Sequence, residues 1–203
     1  MPGKTRKTEE PAPRGRRRSE HVGQAVLEAT RALITEGGYS AATIEAISAR
    51  SGVAKTSIYR RWPNRATLVV ELLMRIATEA VPVPTGRDPK RALRTEMKGV
   101  AEVADQLPGR LLRALLGEAQ RDPEVSTALI EGVFHPRSEA SSRAIRRAQA
   151  EGSLREDIPP LLAVDLLFGP IFYRMLVGHQ PLNDAYVGQV FKYVIEGLKP
   201  QDD

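Results

Sequence analysis

The chain of 203 residues contains no cysteine and only three histidines, which lie far apart at His21, His135 and His179. The absence of cysteine excludes disulfides and thiolate zinc sites, and the scattered histidines have no metal-ligand spacing. No apolar run reaches the ~18 residues that a membrane-spanning helix needs, and no hydrophobic signal segment follows Met1. We therefore expect a soluble, cytoplasmic protein with no metal, cofactor or membrane partner.

The common catalytic motifs are also missing. The chain has no Gly-x-Ser-x-Gly motif, no phosphate-binding glycine loop and no His-Glu-x-x-His motif. Glu118 and Asp122 stand four residues apart, but a carboxylate pair on one helix face is usually solvated. We predict that the protein is not an enzyme, and we assign no catalytic residue.

The net charge of +5 is unevenly distributed along the chain. Residues 1–65 hold 13 Lys and Arg against 6 Asp and Glu, whereas residues 66–203 hold 17 against 19. The N-terminal third therefore carries +7 and the remainder −2. A basic end on a nearly neutral chain indicates a polyanion partner at that end.

Residues 43–65 predict two short helices joined by a glycine turn. Thr43 is a natural N-cap for the first helix, and Gly52 tolerates the positive φ that the turn of a helix-turn-helix requires. The second helix runs from about Lys55 to about Trp62, where Pro63 ends it. A glycine turn between two amphipathic helices also occurs in all-α proteins that do not bind DNA.

The second helix has an apolar side and a side rich in hydrogen-bond donors. At about 100° per residue, Ile58 and Trp62 point inward, and the hydroxyl and cationic side chains face outward. Such a helix fits the major groove of double-stranded DNA. The candidate DNA-binding residues are Thr43, Lys55, Thr56, Ser57, Tyr59, Arg60, Arg61 and Arg65. We expect Thr43 and Arg65 to contact phosphates, and Lys55, Thr56 and Arg60 to set the preferred sequence.

The residues from about Val22 to Leu73 resemble the DNA-binding domain of the TetR family of bacterial transcriptional regulators. The resemblance depends on the string Thr43-x3-Ile47-x4-Gly52-Val53-Ala54-Lys55-x2-Ile58-Tyr59-Arg60-x-Trp62-x2-Arg65. There are two departures from the family pattern. Ala54 stands where a serine N-cap is common, which removes a capping bond typically worth ~1 kcal/mol. Arg65 replaces the usual lysine and keeps its charge.

The whole chain predicts an all-α fold, because apolar residues recur at helical spacing and no stretch alternates like a strand. Residues 1–18 are rich in arginine, proline and glycine, so we expect a disordered arm that either follows DNA or only solubilises the chain. A three-helix domain with a fourth, outgoing helix occupies residues 19–80. The proline-rich residues 81–87 form the predicted domain boundary. A second helical domain occupies residues 88–198, and residues 199–203 form a tail.

The last two predicted helices are unusually apolar. The helix over residues 161–177 is apolar around nearly its whole circumference, and the helix over 183–198 has coiled-coil-like spacing. One small domain cannot easily cover both, so we predict a homodimer with a four-helix interface. The alternative is that both helices belong to a monomeric core. The TetR resemblance implies the dimer.

The resemblance further implies a small-molecule pocket between residues 88 and 178, and release of DNA when an effector binds there. We expect a largely apolar pocket, although the same residues could be ordinary core: Leu111, Leu115, Phe134, Phe168, Phe172 and Tyr173. The predicted function is a ligand-released repressor that binds a palindromic operator as a homodimer. The alternative is an architectural protein that coats DNA without sequence preference.

Overall fold

The computed structural model of the chain describes residues 14–200, and its regular structure is helical throughout. The helices are α1 (Arg14–Ala41), α2 (Ile44–Ser51), α3 (Lys55–Arg61), α4 (Arg65–Ala80), α5 (Pro89–Glu102), α6 (Leu107–Ala119), α7 (Pro123–Leu129), a π-helical segment (Ile130–Phe134), α8 (His135–Ala150), α9 (Pro160–Val177) and α10 (Asp184–Gly197). Residues 14–200 contain no strand, so the predicted all-α fold is confirmed.

Side-chain caps explain where many of these helices begin. Each capping oxygen accepts a hydrogen bond from a backbone N–H of the first turn, which would otherwise lack a partner. The capping residues are Thr43, which the sequence predicted, and Asn64, Asp88, Asp122 and Asn183. Local chemistry therefore positions five of the helix starts.

Residues 14–61 form one compact unit of the described chain. α1 packs on α2, and α2 packs on α3, around the fully buried side chains of Val26, Ile47 and Ile58. α1 begins at Arg14 rather than at residue 19, where the predicted domain begins, so residues 14–18 of the predicted disordered arm are helical. Residues 1–13 of that arm lie outside the described residues.

Residues 62–200 form a second compact unit. This unit includes α4, whose apolar face packs against α6, α7 and the π-helical segment. At one contact the segment approaches so closely that a Cβ on Gly132 would overlap the Val70 side chain. The contacts of α4 therefore group it with the second unit, and the domain boundary at residues 81–87 stays a prediction.

The stretch from α7 to α8 is continuous, because the π-helical segment joins the two helices. The N–H of His135 bonds to the carbonyl of Ile130, five residues earlier. Pro136 then falls in the first turn of α8, where its missing N–H is not needed. The wider turn lets the proline follow a helix without breaking it.

α9 is a central element of the second unit. Its buried side chains, including Leu167 and Ile171, join a core formed with α5, α8 and α10. Within residues 14–200 it is the one helix long and apolar enough to cross a membrane, by length and composition only. The core helix of a soluble protein can pass the same test, and one side of α9 packs in the core of the second unit.

Candidate nucleic-acid interface and internal cavity

The turn between α2 and α3 has the geometry of a helix-turn-helix. Gly52 ends α2 with φ of 69°, in the left-handed region that favours glycine. The hydroxyl of Ser48 donates to the carbonyl of Val53 at 2.8 Å, which fixes the chain after the glycine. Ala54 accepts the first backbone bonds of α3 but has no side-chain oxygen to cap it, as the sequence predicted.

α3 turns one apolar side chain inward and presents most of its polar ones to solvent. Ile58 is fully buried, whereas Thr56, Tyr59 and Arg60 are exposed and Ser57 is half-buried. Lys55 and Arg61 are exposed as well, and all five exposed side chains of α3 can donate the hydrogen bonds that contact phosphates and base edges. Thr43 is also exposed, but its hydroxyl oxygen is engaged in capping α2 at 3.1 Å.

Lys55, a predicted base-contacting residue, forms an ion pair with Glu45 across the turn. Its Nζ donates to Oε1 of Glu45 at 2.6 Å. This hydrogen bond and the lysine charge lower the pKa of Glu45 below its ordinary value. The pair places a carboxylate beside the predicted DNA-facing surface, a feature that the sequence reading did not anticipate.

Arg61 lies against α1 rather than pointing away from the unit. A Cβ at Gly23 would collide with the Arg61 guanidinium, so this glycine leaves room for the arginine to cover α1. A second arginine, Arg50, forms two hydrogen bonds of 2.6 Å with the carboxylate of Glu36 and ties α2 to α1. Neither contact was visible in the sequence, because each joins residues far apart along the chain.

In the second unit, the start of α4 is tied to its surroundings by polar contacts. Asn64 caps α4 and also donates from Nδ2 to Glu124 of α7 at 2.9 Å. Trp62 is 3% exposed and donates from Nε1 to Glu71 at 2.7 Å, which places it in the core as predicted. Arg65, the predicted phosphate contact, is the first residue of α4 and is half-buried.

The second unit contains a cavity of about 390 Å³ that is partly open to solvent. Its wall is mainly apolar and contains side chains from α4, α5, α6, α8 and α9, and from the π-helical segment. The lining residues are Leu73, Met74, Ala77, Val81, Glu96, Val100, Val103, Pro108, Gly109, Leu112, Val133, Phe134, Arg137, Ser138, Ser141, Val164, Asp165, Phe168, Gly169, Phe172 and Met175. A cavity of this size is within the range that holds small organic ligands.

Three of the six predicted pocket residues line this cavity: Phe134, Phe168 and Phe172. The rings of Phe134 and Phe172 meet edge to face, with their centroids 5.8 Å apart. The other three do not line it. Leu111 and Leu115 are buried in the core beneath the wall, because α6 turns Leu112 toward the cavity instead. Tyr173 is 59% exposed and packs on the His179 ring, on the outer side of α9.

A buried polar group in the wall was missed by the sequence reading. Glu96 is 2% exposed and accepts a hydrogen bond of 2.7 Å from the Ser141 hydroxyl. Nη1 of Arg137 lies 3.6 Å from Oε1 of Glu96 and donates to the carbonyl of Val81 at 3.1 Å. Burial raises the pKa of Glu96, and the contacts with Ser141 and Arg137 oppose that effect. The available signal was a glutamate beside Met97, on the apolar side of α5.

α9 and α10 also carry large apolar side chains on the outside of the second unit. Those that are exposed, between 44% and 68% of their full area, are Leu161, Leu162, Leu166, Tyr173, Leu176, Val177 and Tyr193. α9 is therefore buried on one side and apolar on the other. The sequence predicted both features from its all-round hydrophobicity.

No group of three or more His, Asp or Glu side chains that could hold a metal occurs among residues 14–200.

The structure contains two candidate sites of different kinds: an exposed polar helix after a glycine turn, and an apolar cavity. Together with the all-α fold they define a helix-turn-helix protein with a ligand-sized cavity.

Comparisons with known proteins agree with this class. Residues 26–72 match the family described as bacterial regulatory proteins, tetR family, and residues 82–194 match the tetracyclin repressor-like C-terminal domain. The HTH-type transcriptional regulator YdeS of Bacillus subtilis is 30% identical over 92% of this chain and 94% of its own length. The DNA-binding transcriptional repressor TetR of Mycobacteroides abscessus is 25% identical over 88% of this chain and 94% of its own.

A solved structure of the TetR family transcription regulator SCO0332 superposes with a TM-score of 0.76 and 28% identity, over 89% of this chain and all of that one. The chain belongs to the TetR family, which confirms the resemblance found in the sequence. It is a DNA-binding transcriptional regulator, in a family of regulators rather than enzymes. Regulators of this family bind DNA and act as dimers with small-molecule effectors.

Proposed function

We propose that this protein is a cytoplasmic repressor that binds a palindromic operator as a homodimer and leaves it when a small molecule enters the cavity. The observation that carries the proposal is the exposed row of Thr56, Tyr59 and Arg60 on α3, which follows the glycine turn. These side chains can donate hydrogen bonds to base edges and phosphates in the major groove. The relative from Mycobacteroides abscessus is itself named a repressor.

The predicted DNA contacts divide by role. Thr43 and Arg65 are proposed to bind phosphates, while Lys55, Thr56 and Arg60 set the sequence preference. Ser57 and Tyr59 flank this set on α3. Arg61 was predicted to join them, but its guanidinium lies against α1 at Gly23, so it must leave that position before it can reach DNA.

Homodimerisation would cover the exposed apolar side of α9 and α10. Leu166 and Leu176 are among the residues exposed there, and a soluble protein rarely leaves a contiguous apolar surface of this kind open. In a two-fold dimer the same surface on each chain contacts its copy, which produces the four-helix interface predicted from the sequence. Two copies would also supply the two reading helices that a palindrome requires.

Ligand release is supported by the composition of the cavity wall. Leu73, Met74 and Ala77 of α4 line the cavity, so a molecule inside it contacts this helix directly. α4 begins only three residues after α3 ends, at Trp62-Pro63-Asn64. A displaced α4 would therefore change the separation of the two reading helices. Simultaneous docking needs half-sites about one turn apart, ~34 Å, so a small change abolishes it.

The repressor assignment is tested by transcription in vitro from a promoter that carries the operator. We expect the protein to reduce transcript yield, and a cavity ligand to restore it. A control promoter with a scrambled operator keeps its yield throughout. A rise in transcription on adding the protein would show an activator and contradict the repressor assignment.

A further inference from the structure

The cavity wall has no excess of positive charge. Within the described part of the second unit, the charged side chains that line it are Glu96, Arg137 and Asp165. Nη1 of Arg137 lies 3.6 Å from Oε1 of Glu96, so this pair has no net charge when Glu96 is ionised, and the exposed Asp165 adds only a screened negative charge. With Glu96 ionised, an anionic ligand therefore meets no net attraction.

The wall does not attract a cationic ligand either, because the buried carboxylate of Glu96 already has partners. Glu96 accepts from Ser141 at 2.7 Å and lies 3.6 Å from Arg137. A cation that approached Glu96 would also approach the arginine. The remaining carboxylate, Asp165, is exposed, and water and salt screen its charge. The charged groups of the wall thus favour a ligand without net charge.

One polar group of the wall nevertheless lacks a partner. Nη2 of Arg137 is buried and has no hydrogen-bond acceptor among the described residues, whereas Nη1 of the same guanidinium donates to Val81. A buried N–H without an acceptor is costly, so an acceptor brought to this position is favourable. Since Arg137 lines the cavity, a ligand can supply that acceptor.

The rest of the cavity wall is suited to the aromatic ring system of a ligand. Phe134, Phe168 and Phe172 line the cavity, and the edge-to-face pair of Phe134 and Phe172 leaves ring surface for a further aromatic contact. Resting on the ligand-release function above, we propose that the cavity binds an uncharged aromatic molecule that places one hydrogen-bond acceptor against Arg137.

The test uses four naphthalenes substituted at the same ring position and the full-length protein. Acetylnaphthalene is neutral with an acceptor, ethylnaphthalene is neutral without one, naphthoate is anionic and naphthylmethylamine is cationic. Their dissociation constants are measured by isothermal titration calorimetry at neutral pH. We expect acetylnaphthalene to bind at least tenfold more tightly than each of the other three. Equal or tighter binding of naphthoate, naphthylmethylamine or ethylnaphthalene overturns the proposal, as does the absence of binding by all four.

Substitution of Arg137 tests whether this residue donates the hydrogen bond to the acceptor of the ligand. Because Arg137→Met alone would leave the Glu96 carboxylate buried without its partner, it is combined with Glu96→Gln and compared with Glu96→Gln alone. The double variant should lose the preference for acetylnaphthalene over ethylnaphthalene, while Glu96→Gln alone and the exposed control Arg146→Met should keep it. A double variant that folds and retains the preference overturns the role of Arg137.

A second assay distinguishes an error in the proposed ligand class from an error in the proposed ligand release. A gel-shift assay with operator DNA is run in parallel with the calorimetry. If naphthoate binds more tightly and releases the DNA, the ligand class is wrong and the proposed function stands. If acetylnaphthalene binds with the expected selectivity and the DNA stays bound, the ligand class is right and ligand release is wrong.

Discussion

The Nζ atom of Lys55 lies 2.6 Å from Oε1 of Glu45, so the first residue of α3 is bound to the first turn of α2. The pair holds the lysine in one position before DNA arrives. It also offsets one of the positive charges on the proposed DNA-binding surface. A carboxylate beside a phosphate-binding surface lowers the affinity of that surface for all DNA, whatever its sequence.

Glu45→Gln should therefore strengthen binding to operator and scrambled duplexes alike. The gain should be about threefold, the order of an exposed ion pair, and the salt dependence should steepen because the positive charge of Lys55 is no longer offset beside the DNA. Fluorescence anisotropy titrations at several salt concentrations measure both quantities. Glu36→Gln is the matched control, since it frees Arg50 between α1 and α2 instead. Unchanged affinity in Glu45→Gln would show that Lys55 does not approach the DNA.

Neighbouring arginines on α3 should behave differently. Arg60 is exposed on the outer face, so Arg60→Ala should change which base is preferred at one position of each half-site, by an amount of ~1–3 kcal/mol. Arg61→Ala should leave that preference unchanged and lower the melting temperature, because its guanidinium covers α1 at Gly23. Selection of bound sequences and thermal unfolding of both variants measure these effects. Reversed behaviour of the two arginines would mean that the outer face has been misassigned.

Alanine substitutions at two glycines of α6 should have opposite effects on stability, because one glycine is closely packed and the other is not. A Cβ at Gly109 would overlap the backbone of Ala104, so Gly109→Ala should cost ~1–3 kcal/mol of unfolding free energy. A Cβ at Gly117 meets nothing within 4 Å, so Gly117→Ala should stabilise the helix by up to ~1 kcal/mol. Urea denaturation of the two variants compares these free energies. Equal effects would argue against the close approach at Gly109.

The proposed dimer predicts unequal effects of two equally exposed residues. Leu166 on α9 and Ile130 in the π-helical segment are both 44% exposed. Leu166→Glu should place a charge in the interface and shift the protein to monomers, whereas Ile130→Glu should remain dimeric. Sedimentation velocity at micromolar concentration distinguishes the two states. If Leu166→Glu remained a dimer, the interface would lie elsewhere. If the wild-type protein were a monomer, the proposed dimer would be excluded.

The positions of the helices were predictable because their signals are local. Asp88-Pro89 and Asp122-Pro123 combine a capping carboxylate with a proline in the first turn, and each starts a helix in the structure. Gly52 likewise ends α2 in the left-handed conformation that its place in the turn required. Each of these signals depends only on residues within one helical turn.

The cavity was less predictable, because helical periodicity identifies the inward side of a helix but not where packing leaves a void. On α6 the apolar run includes Leu111, Leu112 and Leu115, and only Leu112 reaches the cavity. The contacts of Glu96 with Ser141 and of Lys55 with Glu45 depend on the tertiary fold. A single sequence contains the residues of such pairs without indicating that they meet.

The account as a whole depends on sequence-specific binding by two copies of the helix-turn-helix. The most direct test is selection of bound duplexes from a random pool with the full-length protein, at about 150 mM salt because affinity for DNA is strongly salt-dependent. We predict a palindromic motif whose half-sites lie about one helical turn apart, ~34 Å. Strong binding without any motif would contradict the account and favour an architectural protein that coats DNA.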